Sequence, residues 1–229
     1  MNPPLNVLYE DNHLLVVNKP AGLPTMGTPD DRATLLTVAK QYIKQRYQKP
    51  GNVYLGVVSR LDAPVSGVVL LARTSKAAAR LTEQFRDRRV EKTYWAMAEG
   101  VLEDSAGSLV DWLAQDERHR RMHIVGRTMP DAREARLSYR RLAVVQGNSW
   151  LEIELETGRK HQIRLQLSHH GHPIVGDRKY GSRTPFSSGI ALHARRLVIA
   201  HPTTAKRLQF EAPTPDAWRC FSLDQRGAR

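Results

Sequence analysis

A single cysteine, Cys220, in a chain of 229 residues excludes an internal disulfide framework and a cysteine-rich zinc site. It fits a reducing, cytoplasmic setting. No apolar run reaches membrane-spanning length, and Met1-Asn2-Pro3-Pro4 lacks the basic and apolar regions of a signal peptide. A Walker-type glycine loop is missing, as is any cluster of metal ligands, despite nine histidines. No repeat of fixed period, heptad or low-complexity tract is present, so a monomer is the plain expectation.

Acid is also in short supply. Thirty-five Lys and Arg face 23 Asp and Glu, leaving a net charge of +12 and a pI near 10.2. Such an excess attracts polyanions and steers them over distance. Its placement matters more than its size. Residues 157–183 carry six bases (Arg159, Lys160, Arg164, Arg178, Lys179, Arg183) and one acid, Asp177. No amphipathic basic helix with a Trp/Leu face accompanies them, which favours nucleic acid over a membrane surface.

Periodicity outlines the elements. Val7–Tyr9 and Leu14–Val17 flank the turn-forming Glu10-Asp11-Asn12 and predict a hairpin. Prolines and glycine in Lys19-Pro20-Ala21-Gly22-Leu23-Pro24 end it. Thr34 is placed to cap a helix whose apolar positions are Leu35, Val38, Ala39, Tyr42, Ile43 and Tyr47. Val53–Val58 and Gly67–Ala72 predict strands, and Ser75 an N-cap for a second helix with Ala78, Leu81 and Phe85 inward. Thr93–Ala98, Leu137–Val145, Leu151–Glu156, Leu197–Ala200 and Arg207–Phe210 predict further strands. His161–His170 fits either period, and residues 111–133 look like a connection or mobile insert between two halves. Mixed elements without regular βαβ alternation predict an α+β fold with a largely antiparallel central sheet, as one domain over 1–229.

Three clusters could carry chemistry. Ser59-Arg60-Leu61-Asp62-Ala63-Pro64-Val65-Ser66-Gly67 puts an acid on a loop between strand-like runs. Taken alone, Asp62 reads as a turn former before Pro64. Thr157-Gly158-Arg159-Lys160-His161-Gln162-Ile163-Arg164 and Gly171-His172-Pro173-Ile174-Val175-Gly176-Asp177-Arg178-Lys179-Tyr180-Gly181 are dense in Gly, Arg and His, as an anion-binding surface would be.

Their order is more specific than any one cluster. Lys19-Pro20-Ala21-Gly22, Arg60-Leu61-Asp62-x-x-x-Ser66-Gly67, Lys92-Thr93-Tyr94, Thr157-Gly158-Arg159-x-His161-Gln162-Ile163-Arg164 and His172-Pro173-x-x-Gly176-Asp177-x-x-Tyr180-Gly181 follow one another. Together, from about Val7 to Pro213, they resemble the RluA-type branch of the pseudouridine synthases, which modify ribosomal and transfer RNA. The resemblance implies the pseudouridine synthase catalytic fold, an RNA partner, no cofactor and no metal. It makes Asp62 the catalytic nucleophile and Tyr94 the tyrosine that packs on the target base and assists loss of the C5 proton. Arg164 becomes the arginine paired with the aspartate, Ile163 an apolar wall, and Arg60 a residue entering the helix as the nucleotide leaves. Arg159, Lys160, His161, Arg178 and Lys179 are expected to contact RNA. Ser59 and Val65 stand where the family usually has His and Thr, which bears on local hydrogen bonding and RNA contact. The small N-terminal RNA-binding domain of many relatives is not expected, because the hairpin begins within the first ten residues.

Pseudouridine formation suits these residue types. Uracil leaves C1′ through N1, turns and rejoins through C5, without redox change or group transfer. An ionised carboxylate is needed near the sugar and base, and a paired arginine keeps it charged and oriented. The alternatives are a catalytically inactive RNA-binding or ribosome-assembly factor of the same fold and, ranked last, a hydrolase. Retention of Asp62, Tyr94 and Arg164 together favours the enzyme.

Overall fold

The computed structural model describes residues 5–27, 32–116 and 121–222. The chain divides into two compact units, residues 1–92 with 194–215, and residues 93–193 with 216–229.

In the first unit, β1 (Val7–Glu10) and β2 (Leu14–Lys19) form the expected antiparallel hairpin. Asp11 Oδ1 fixes its turn by accepting from the backbone N–H of His13 and Leu14, both at 2.7 Å. β2 then pairs with β4 (Ser66–Ala72) from Leu14↔Ala72 to Lys19↔Gly67. Both strands are continuous apolar runs because both faces are covered. Leu14, Val16, Val68 and Leu70 share a core with Ala77 and Leu81 of α2 (Ser75–Arg86). Leu15, Val17, Val69 and Leu71 share another with Leu35, Ala39 and Ile43 of α1 (Leu35–Arg46).

Thr34 caps α1 reciprocally, its Oγ1 accepting from Thr37 N at 3.2 Å while its own N–H donates to Thr37 Oγ1 at 2.9 Å. The cap of α2 is Thr74, one residue before the expected Ser75, with Oγ1 accepting from Ala77 N at 3.2 Å. Of Val53–Val58, only β3 (Gly56–Val57) joins a ladder, antiparallel to β4, although Val53 and Leu55 are buried in the α1 core. Apolar alternation there reports burial without strand pairing.

The second unit is an antiparallel sheet ordered β5-β9-β8-β6-β7. Its strands are β5 (Glu91–Ala98), β6 (Ala106–Asp116), β7 (Arg121–Val125), β8 (Arg133–Val145) and β9 (Asn148–Leu155). Residues 111–133 are therefore no mere connection. β6 and β7 pair from Trp112↔Val125 to Asp116↔Arg121, and β6 also pairs with β8. Most β6 side chains are exposed or half-buried, so the apolar alternation that marks a strand is faint.

The ambiguous stretch is α3 (Gln162–His169). Every residue from Gln162 to Leu167 is buried, so no single apolar stripe marks the helix. Leu165 packs with Leu113, Met122, Ala135 and Tyr180. The chain returns to the first unit within β10 (Leu192–Ala200), which pairs with β11 (Arg207–Glu211).

Candidate active site

In the first unit, Asp62 lies on the segment between β3 and β4, half-buried, while Arg60 beside it is exposed. The loop after β2 holds this segment from one side. Thr25 Oγ1 donates to Leu61 O at 2.7 Å and accepts from Leu61 N at 3.1 Å. Gly22 N donates to Ala63 O at 2.8 Å, and Val65 N closes a turn onto Asp62 O at 3.1 Å. The backbone on both sides of the carboxylate is thus fixed.

Lys19 completes the brace. Its side chain is fully buried (0% exposed), and Nζ donates to Pro20 O at 2.9 Å, Leu23 O at 2.8 Å and Ala63 O at 3.2 Å. Burial pushes its pKa down to about 7, and the attraction of the Asp62 carboxylate opposes the shift. The two departures from the family motif face the scaffold. Ser59 Oγ accepts from Leu70 N of β4 at 3.0 Å, and Val65 is buried.

The remaining expected residues belong to the second unit. Tyr94, on β5 opposite Ile153 of β9, is half-buried between the buried Thr93 and Trp95, so its ring projects from the other face of the strand. Arg164 is buried on α3, beside Ile163 at 4% exposure. It therefore does not belong to the basic surface on which its charge was first counted. Its Nε and Nη2 fork onto Asp177, the lone acid of that stretch, at 2.7 and 2.9 Å. Arg159, Lys160, Arg178 and Lys179 are exposed, and Arg159 Nε donates to Glu134 O at 3.0 Å. His161 takes a left-handed conformation at the start of α3 (φ 56°), with its Nδ1 2.7 Å from the Tyr180 hydroxyl.

Lys19, Asp177 and Tyr180 stand in the quoted motifs, yet sequence reading gave them no role. A signal existed for the first. Leu15, Val17 and Lys19 alternate on one strand, so the lysine continues an apolar face and must find acceptors there.

Comparison with known proteins decides the family. The model of the RNA pseudouridylate synthase family matches residues 13–169, a stretch that contains Asp62, Tyr94 and Arg164. The chain belongs to that family.

Its relatives agree along nearly the whole chain. The RNA pseudouridine synthase YhcT of Bacillus subtilis is 35% identical over 92% of this chain and 69% of its own length. Ribosomal large subunit pseudouridine synthase D of Xanthomonas campestris is 36% identical over 93% of this chain and 67% of its own. Among solved structures, human RNA pseudouridylate synthase domain containing 4 superposes with a TM-score of 0.79 at 26% identity, covering 96% of this chain and 94% of the other. The α+β pseudouridine synthase fold expected from the motifs is the fold found. As a pseudouridine synthase, the protein is an isomerase acting on RNA.

Proposed function

We infer that the chain isomerises one or a few uridines of ribosomal or transfer RNA to pseudouridine, with Asp62 as nucleophile. Support comes from the match over residues 13–169, which carries the Asp62, Tyr94 and Arg164 motifs in family order. The Xanthomonas relative is named for the large ribosomal subunit. In this reading the N1–C1′ bond breaks, the C5–C1′ bond forms, C5 loses its proton and N1 gains one. Asp62 serves the sugar–base step, with Arg164 as its paired arginine, as the family resemblance implies.

Flipping the uridine costs a few kcal/mol. Stacking on Tyr94 returns about 1–3 kcal/mol, and its hydroxyl assists loss of the C5 proton. Arg60 fills the space the nucleotide leaves, and Ile163 forms an apolar wall of the base pocket. Arg159, Lys160, His161, Arg178 and Lys179 bind the RNA. The protein acts as a monomeric single catalytic domain in the cytoplasm, without metal or redox cofactor, since the rearrangement is redox-neutral.

The test is to incubate purified protein with unmodified ribosomal and transfer RNA transcripts in excess chelator and map pseudouridine by carbodiimide-dependent primer-extension stops. Stops at discrete positions are expected. Their absence from every RNA would overturn the substrate assignment. Loss only in chelator, restored by metal on RNA shown to stay folded, would overturn the cofactor-free mechanism.

A further inference from the structure

Arg164 is held by two groups. Nε donates to Asp177 Oδ2 at 2.7 Å and Nη2 to Asp177 Oδ1 at 2.9 Å, a fork-to-fork contact that stops rotation in the guanidinium plane. The guanidinium Cζ also lies over the Tyr180 ring, 5.0 Å from its centroid, a cation–π contact on a second side. Tyr180 is itself held at both ends. Its hydroxyl meets His161 Nδ1 at 2.7 Å, and its carbonyl accepts from Ser168 Oγ at 2.5 Å.

Stability alone does not account for this arrangement. The two side chains are 6% and 2% exposed, and desolvating two charges offsets most of what their attraction returns. Nor does the segment carrying Asp177 depend on the pair for anchorage. Val175 N donates to Met97 O and Ala191 N to Val175 O, both at 2.9 Å. Glu99 Oε1 accepts from Ser182 Oγ at 2.6 Å, Arg183 N at 3.0 Å and Thr184 N at 2.9 Å. What the pair adds is direction. With the Nε–Nη2 edge committed to Asp177, the end-on edge shared by Nη1 and Nη2 has one heading.

We propose that Asp177 is a positioning residue for the isomerisation, holding Arg164, with Tyr180 as backing, in the orientation that serves the reacting groups. The inference rests on the role given to Arg164 under Proposed function. Its experiment uses Asp177→Asn, Arg164→Lys, the double variant and Tyr180→Leu. Single-turnover tritium release is followed from in vitro transcribed ribosomal RNA carrying [5-3H]uridine, scaled to folded protein. RNA affinity and ¹⁵N relaxation at Arg164 Nε are measured beside it.

A displacement of about 1 Å costs on the order of a hundredfold in rate. Asp177→Asn should therefore slow release by about ten- to a hundredfold, leave RNA affinity within about threefold and make Arg164 Nε mobile. In the Arg164→Lys background it should cost less than about threefold, because partners acting as a unit are not additive. Tyr180→Leu keeps the fork, so it should slow release several-fold and loosen Nε. It carries the test if Asp177→Asn does not fold.

A rate within twofold of wild type for Asp177→Asn, or for Tyr180→Leu where it is the folded variant, would overturn the proposal. So would losses that multiply fully in the double variant. Wild-type turnover in Arg164→Lys would remove the role of Arg164, and this inference with it. A slow Arg164→Lys beside a normal Asp177→Asn would remove the inference alone.

Discussion

At Lys19 an ammonium is held out of water against three carbonyl oxygens, one of them on Ala63, next to Asp62. Its folded pKa of about 7 lies below the ~10.4 of an unfolded lysine. Between those values the unfolded chain binds a proton that the folded chain releases, so stability rises with pH across this window. It is lost as pH falls through 7. Lys19→Met removes the titration, and its three orphaned carbonyls cost the same at every pH. Denaturant melts should show wild type gaining on the variant by up to about 1.4 kcal/mol per pH unit between pH 7 and 9. A difference that stays flat with pH would mean that the lysine does not titrate there. Tyr94 separates two roles in the same way. Tyr94→Phe keeps the ring, so RNA binding should stay within a few-fold while release of the C5 proton slows sharply. Tyr94→Ala should also lose about 1–3 kcal/mol of base capture. Equal turnover in all three proteins would make Tyr94 a plain strand aromatic.

At the level of elements, β4 begins at the end of the Asp62 motif, and Gly67 is what lets it approach its neighbour. Its φ is +119°, and a Cβ there would sit 2.3 Å from Ala194 O and 2.6 Å from Ala194 N. Gly67→Ala should cost about 3 kcal/mol or more. Gly22→Ala, at φ +85° with nothing within 4 Å of the new Cβ, should cost about 1–2 kcal/mol from backbone strain alone. Equal shifts in denaturant midpoint would show that the close approach to Ala194 is not what requires glycine. Elements with one strong signal were legible in the sequence. The hairpin at Val7–Lys19 had its turn, and α1 had both Thr34 and an apolar stripe. Other elements lacked such a signal. β6 presents few buried side chains, and α3 is buried on all sides, so neither shows the periodicity of its class. The five motifs point to the candidate site residues but not to their supports. The fork from Arg164 to Asp177 joins positions thirteen residues apart, and no local pattern encodes which charge answers which.

For the molecule as a whole, the charge of +12 predicts how it meets RNA. If about six phosphates are neutralised, affinity should fall by several hundredfold to a thousandfold between 50 and 200 mM salt. A filter-binding titration that barely moved over this range would remove the basic surface as the RNA-binding face. The account stands most directly on Asp62. Wild type and Asp62→Asn, matched for folding by thermal melt, should be compared for tritium release from [5-3H]uridine in the same RNA. The account predicts no release above background from the variant, with RNA affinity within a few-fold of wild type. Near-normal release from Asp62→Asn would contradict it.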